Sequence, residues 1–281
     1  MMKKILLPTD FSDNAWNAIF TAVKLYADVE CKFYLLHAYE PQALNMLGSK
    51  GQKRLGIIYD SLSEYSKQEL NKILIYLKEN HHNPKHSFEP VSKSDTLEEA
   101  IVQLTAETDI DLICMGTKGA TGAKQVFMGS NTVKVLKKIS DCTILAVPDD
   151  YNFQALKSLA FPTDFSKKYE KHQFLPMIEL ASLWKTKIQV VHVAVEFELS
   201  EKQLINQKLL KERLDVLDVT FYNIDFEANV EQTLEKFMED TRVEMMALIQ
   251  YHHRFWEKII GEPVVKKMTF HTKVPLLVLP E

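Results

Sequence analysis

Residues 8–12 read PTDFS, and residues 162–166 read PTDFS again. Each pentapeptide follows an apolar run, ILL at 5–7 and SLAF at 158–161. The two halves also close alike, with CTILAVP at 142–148 and KVPLLVLP at 273–280. Matching openings and endings mark a duplicated domain, so the chain is expected to hold one domain at 1–149 and a second at 155–281. The polar stretch DDYNFQA at 149–155 joins them. The pentapeptides lie 154 residues apart and the endings only 132, so the second copy lacks about twenty residues. Because LEEAIVQL at 97–104 already matches VEQTLEKF at 230–237 near the smaller offset, the loss falls between 38 and 97.

Within the first copy, short runs rich in β-branched and aromatic residues alternate with helical patterns. KKILLPT, KFYLLHA, HSFEPV, DLICMGT and TILAVP read as strands, and 13–28, 58–79, 96–108 and 131–139 as helices. The second copy repeats the order with KSLAFPT, KIQVVHVAV, TFYNIDF, MMALIQ and PLLVLP, and with helices near 168–184, 200–217, 229–241 and 263–270. Strand and helix alternating in this way predict an α/β fold, each copy a five-stranded parallel sheet with helices on both faces.

Composition narrows the function. With 281 residues, 46% hydrophobic and 26% charged, the chain has the make-up of a globular protein of about two domains. A net charge of −4 without a basic block gives no electrostatic support for nucleic acid as a partner. The opening MMKKILLPTDF has a basic pair and then only Ile5, Leu6 and Leu7 before Pro8, too few for a signal-peptide core or a membrane span, so neither export nor a membrane partner is expected. Cys31, Cys114 and Cys142 form an odd set with no CxxC pair, which suits a reducing, cytoplasmic setting. Neither His81, His82 and His86 nor the His252 and His253 pair has Cys or paired carboxylates at ligand spacing, so no metal site is expected. His37 and His192 occupy equivalent strand positions and read as packed, hydrogen-bonded histidines.

The chain has eight glycines, and four of them fall within MGTKGATGAKQVFMGSNT at 115–132. Glycine inside a regular element costs about 0.5–1 kcal/mol relative to alanine, so the cluster needs a backbone reason. It follows the fourth strand and leads into the helix NTVKVLKKI, with Ser130 as the expected N-cap. In an open parallel sheet, ligands bind beyond the carboxyl ends of strands, and a helix N-terminus offers unpaired N–H donors to an anion. Lys118 and Lys124 add positive charge. The Walker A pattern fails because Gly129 is followed by Ser-Asn-Thr, and GxGxxG is absent because the spacing is GxxGxxG.

What fits is GxxG, nine residues, then Gly-Ser: Gly116, Gly119, Gly129 and Ser130. This resembles the ATP-binding signature of the universal stress protein family, and the resemblance extends to PTDFS, to LLHAYE after it and to the five-strand order of both copies. It implies a Rossmann-like sheet in order 3-2-1-4-5, with Asp10 and the glycine loop on the two sides of one cleft. It implies ATP, with or without Mg, as ligand. Pro8, Thr9 and Asp10 would meet adenine and ribose, with Ala38 near adenine. Met115, Gly116 and Gly119 would line ribose and phosphates, and Gly129, Ser130, Asn131 and Thr132 would bind phosphate. Asn131 stands where the family has a small apolar residue. In the second copy the loop reads QYHHRFWEKIIGEP, with Glu262 at the phosphate serine's place and aromatic bulk for glycine, so no ATP is expected there. Asp164 nevertheless persists, so the pentapeptide is open to a purely structural explanation in both copies, as a strand end and helix cap.

No Asp or Glu stands between 112 and 140 to hold a catalytic metal, so no catalytic residue is assigned and at most weak ATP hydrolysis is expected. The expected function is a cytoplasmic stress-response protein whose first domain holds ATP as a signal or structural ligand. A nucleotide-free interaction scaffold and a slow ATPase are the alternatives. Pairing of TILAVP with PLLVLP would make the chain an intramolecular pseudo-dimer, with association into a homodimer left open. The segment 41–57 is expected to act as a contact or a lid.

Overall fold

The computed structural model describes residues 2–40, 49–118, 128–195, 198–250 and 273–281, with the side chains of 49–58 excepted. The described residues divide into two compact units, one ending at Cys142 and the other beginning at Thr143. Division by repeat, at 149–155, thus differs from division by compactness. The strand TILAV that ends the first repeat belongs by contact to the second unit.

The first unit runs β1 (Lys3–Pro8), α1 (Asp13–Leu25), β2 (Cys31–Ala38), α2 (Ser49–Asn80), β3 (His86–Lys93), α3 (Leu97–Thr108), β4 (Leu112–Gly116) and α4 (Ser130–Lys138). Its strands are parallel in the order β3-β2-β1-β4. The register pairs Lys3 with Cys31 and Ile5 with Leu112. The fully buried runs Ile5–Leu7 and Leu35–Leu36 explain the continuous apolar strings, because a parallel sheet is covered on both faces. Helix α1 begins at a Ser12 cap, whose hydroxyl accepts from the Ala15 N–H, and buries Ala15, Ala18, Ile19 and Ala22 at three- and four-residue spacing.

The second unit contains β5 (Thr143–Val147), β6 (Ser158–Pro162), a 3-10 turn at Lys171–Phe174, α5 (Leu175–Trp184), β7 (Lys187–Ala194), α6 (Glu201–Arg213), β8 (Val219–Asp225), α7 (Val230–Asp240), β9 (Met245–Ile249) and β10 (Leu276–Leu279). Its parallel order β8-β7-β6-β9-β10 is the expected 3-2-1-4-5 in full. Strand β5 adds to it antiparallel, Leu277 opposite Leu145, so the two matching terminal strings pair within one chain. The fold is α/β with a predominantly parallel sheet, as the alternation of elements required.

The length deficit of the second copy has a structural location. Helix α2 has 32 residues and α6 has 13, a difference of 19. Helix α2 starts nine residues before the expected position 58, because the polar stretch ahead of it continues the helix. The expected helix at 168–184 opens instead with the 3-10 turn, closed by reciprocal bonds between Glu170 and Gln173. The helix expected near 263–270 and the segment 41–48 lie outside the described residues.

Helix α2 is fastened to the sheet by a polar chain. The fully buried Ser66 hydroxyl lies 2.9 Å from His37 Nδ1 and 2.7 Å from the Ser92 hydroxyl. The packed, hydrogen-bonded reading of His37 therefore applies. Burial holds the His37 imidazole below its ordinary 6.5, with the Asp10 charge opposing the shift. Burial lowers His86 in the same way. Between the folded and unfolded values the unfolded chain binds more protons, so stability falls as pH drops below about 6.5 and is unaffected by these groups above it. The His37→Gln variant is expected to show a shallower loss of urea midpoint than wild type from pH 7 to 5.5. Parallel pH profiles for the two proteins would overturn the assignment.

Candidate functional site

Strands β1 and β4 are neighbours, while their following helices lead away to opposite sides of the strand order. Their carboxyl ends therefore open a crevice at the point where the order reverses. Pro8, Thr9 and Asp10 stand on one side and Met115 and Gly116 on the other.

The PTDFS loop is built by its own side chains. The Thr9 hydroxyl accepts from the Phe11 N–H at 3.0 Å, and Asp10 Oδ1 accepts from the Ser12 N–H at 3.1 Å and from its hydroxyl at 2.5 Å. These bonds turn the chain into the Ser12 cap of α1. Phe11 adopts φ of 65°, a conformation costly for a bulky residue. Its ring packs on His37 at 4.4 Å and edge-on to Tyr65 at 5.8 Å, which offsets the strain. The second copy repeats the device: Phe165 has φ of 54°, and the Thr163 hydroxyl and Asp164 Oδ1 accept from Phe165 and Ser166 at 3.1 and 2.9 Å. Its ring lies 5.2 Å from His192.

Across the crevice, Gly116 has a steric reason to be glycine. A Cβ there would fall 2.4 Å from Asn14 Oδ1 and 3.1 Å from the Asn14 carbonyl oxygen. Asn14 is buried in the first turn of α1, and its carboxamide oxygen accepts from the Lys118 N–H at 2.8 Å. Asn14 was not singled out from the sequence, because an Asn near a helix start reads as a solvent-facing polar residue. The Gly116 carbonyl in turn accepts from the Thr132 hydroxyl at 2.9 Å. The Gly129 N–H donates to the Thr117 carbonyl at 2.6 Å. Asn14, Gly116, Thr117, Gly129 and Thr132 thus clamp the start of α4 against the end of β4.

The N-cap of α4 is Gly129, one position before the expected Ser130, which is the first helical residue. Gly129 has no side chain to close the cap, and the first turn contains no acidic residue. The side chains of Ser12, Thr96, Ser200 and Asn229 cap α1, α3, α6 and α7. Helices α4 and α5 lack this bond. The amides of the first turn of α4 have no intrahelical acceptor, and Ser130 and Asn131 are exposed. Such an end presents N–H donors and the positive pole of the helix to the crevice.

The structure thus brings Pro8, Thr9, Asp10, Met115, Gly116, Gly129, Ser130, Asn131 and Thr132 to the carboxyl ends of β1 and β4. Ala38 ends the neighbouring β2, half-buried. The Thr132 hydroxyl is buried and committed to the Gly116 and Thr117 carbonyl oxygens, which leaves its amide as the group turned to the start of the helix. Gly119, Gly122 and Lys124, and the second copy's loop from Tyr251 through Gly261 and Glu262, lie outside the described residues. Gly116→Ala is expected to cost about 1–3 kcal/mol in chemical denaturation, the range for overpacking. The cost should shrink in an Asn14→Ala background, where the clashing carboxamide is gone. Strict additivity of the two changes would show that Asn14 is not the constraint.

The model of the Universal stress protein family matches residues 1–148. The universal stress protein MJ0577 of Methanocaldococcus jannaschii is 30% identical over 153 residues, covering 49% of this chain and 90% of that protein. YxiE of Bacillus subtilis is 26% identical over 153 residues, covering 52% and 99%. A universal stress protein structure from Archaeoglobus fulgidus superposes with a TM-score of 0.67 over 99% of this chain and 98% of that one, at 15% identity, which shows a common fold across both units. With more than half its length matched by the family model, the chain belongs to the universal stress protein family.

Proposed function

We propose that the first unit binds ATP as a signal or structural ligand, with phosphate oxygens at the amides of Ser130, Asn131 and Thr132. In this reading adenosine lies toward Pro8, Thr9, Asp10 and Ala38, and Met115, Gly116, Gly119 and Gly129 line the path between the two ends. The observation that carries it is the uncapped N-terminus of α4 at the switch point of the sheet, in a unit whose helices α1 and α3 have side-chain caps. An anion is the missing acceptor. A cytoplasmic stress-response role and the internal pseudo-dimer belong to the same proposal, the latter supported by the β5–β10 pairing.

One set of observations favours a nucleotide-free scaffold instead. Asp10, Gly116 and Thr132 each have a structural use that needs no ligand. Neither reading needs turnover.

Denaturing the purified protein and identifying released small molecules by mass spectrometry separates the two. The ATP reading expects an adenine nucleotide near one per chain, and calorimetry with ATP should show saturable binding. Asn131→Asp supplies the sharper test. A carboxylate in the first turn favours the helix by about 0.3–1 kcal/mol, so the fold should be kept or slightly stabilised while ATP affinity drops more than about tenfold. Unchanged ATP affinity in that variant would take the phosphates away from the first turn of α4, and no heat with the wild type would leave the scaffold reading.

A further inference from the structure

A second recess lies away from this crevice, on the groove between α1 and α2. It has a volume of about 400 Å³ and is lined by Asp13, Trp16, Asn17, Phe20 and Tyr76. The four α1 residues are spaced at three and four, so they form one stripe along the helix. That stripe is not the one α1 packs against the sheet, which uses Asn14, Ala15, Ala18, Ile19 and Ala22. Trp16 and Phe20 are only half-buried, and Tyr76 is 43% exposed. Three large aromatic side chains left partly in water on one groove are informative, because burial of such rings is among the strongest driving forces in folding.

The rings are locked together. Trp16 stacks on Phe20 with centroids 5.4 Å apart and planes 26° apart, and Tyr76 meets both edge-on at 5.4 and 6.1 Å. His81 backs Phe20 and Tyr76 at 5.0 and 5.7 Å. Centroids at these separations lie on a circle of radius about 3.3 Å, so a single charge about 4 Å above their plane would be about 5 Å from all three, a distance at which cation–π attraction acts where a ring face turns to the charge. At the rim stands Asp13. Among the described residues its carboxylate has no hydrogen bond or ion pair, and only the N-terminal pole of α1 offsets its charge.

We propose that this recess binds an alkylammonium group, a small cation of low hydration, by the faces of Trp16, Phe20 and Tyr76 with Asp13 as counter-charge. Charge decides the class of occupant. Aromatic faces are electronegative, the only ionised side chain lining the recess is an acid, and no cationic side chain lines it to hold an anion. A recess of about 400 Å³ accommodates a trimethylammonium head with room to spare. The site is independent of the ATP reading, since none of its residues belongs to the crevice between β1 and β4.

The test is a two-dimensional NMR titration of the full chain, following the Trp16 indole N–H. The probes are tetramethylammonium, choline, a trimethyllysine peptide, and 3,3-dimethylbutan-1-ol as the neutral isostere of choline. The proposal expects a saturable shift with the cations and binding of the neutral isostere weaker by about tenfold, the upper range of a partly desolvated cation–π contact. Asp13→Asn is expected to weaken the cations several-fold and leave the neutral isostere unchanged. Trp16→Phe keeps an aromatic ring for folding, and Tyr76 shifts then report the loss. Choline as tight as the peptide identifies a free small cation as the source, and a markedly tighter peptide identifies a modified side chain. Equal affinity for choline and its neutral isostere would reduce the recess to an apolar surface, and no shift with any probe would show that the rings serve only to brace α1 against α2.

Discussion

The first unit is organised around one close approach, the Asn14 carboxamide lying where a Cβ on residue 116 would be. Helix α1 can sit that near the end of β4 only because residue 116 has no side chain. Asn14 in turn can face the sheet only because α1 starts at Ser12, and Ser12 is placed by the bonds of Thr9 and Asp10 within PTDFS. The same carboxamide receives the Lys118 N–H and so directs the chain leaving β4. Thr132 and the Gly129 amide then bind that chain to the start of α4. A pentapeptide after the first strand and a helix start 120 residues later are therefore parts of one hydrogen-bonded assembly.

This assembly changes what the glycines mean. A cluster of glycine at a helix start invites a ligand as the explanation, yet Gly116 is explained by protein atoms alone. Gly129 is different. Its lack of a side chain leaves the first turn of α4 without a cap, and nothing within the described residues makes up for it. Among the described residues, hydroxyls and carboxylates on one side of the crevice have partners and the first-turn amides of α4 lack a side-chain cap, and the ATP reading rests on that contrast.

Much of this was legible in the sequence because its signals are strong and local. Apolar runs such as ILL and DLICM, bounded by turn residues, mark parallel strands, and the repeat of PTDFS set the offsets that located the deletion. The 19-residue shortfall of α6 against α2 is that deletion made visible. What was not legible depends on contacts distant in the chain. Nothing near Asn14 announces that it meets residue 116, and nothing near Ser66 announces its bonds to His37 and Ser92. The cap of α4 was misplaced by one residue because Ser is the better capping residue by propensity, while the Gly129 amide is held by Thr117. The aromatic stripe of Trp16 and Phe20 was hidden for a related reason: apolar residues at helical spacing read as core, and only packing shows which stripe faces the sheet.

The second copy separates scaffold from site. Its PTDFS turn keeps the bonds from the Phe and Ser N–H groups and the same left-handed Phe as the first, so these features belong to the architecture of the turn after the first strand of each copy and are accounted for without a nucleotide. The carbonyls of that turn are also taken by its own neighbour. Gln203 donates to the Asp164 oxygen at 2.9 Å and buried Asn206 to the Phe165 oxygen at 2.8 Å, both from the shortened α6. In the first copy Tyr65 and Ser66 of α2 approach instead through the ring of Phe11 and the imidazole of His37. Helix α6 thus meets its turn through two amide clamps, and α2 meets the first copy's turn through an aromatic contact with Phe11. Both turns are held by their own bonds, so the ATP reading rests on the other wall of the crevice, the end of β4 and the bare first turn of α4.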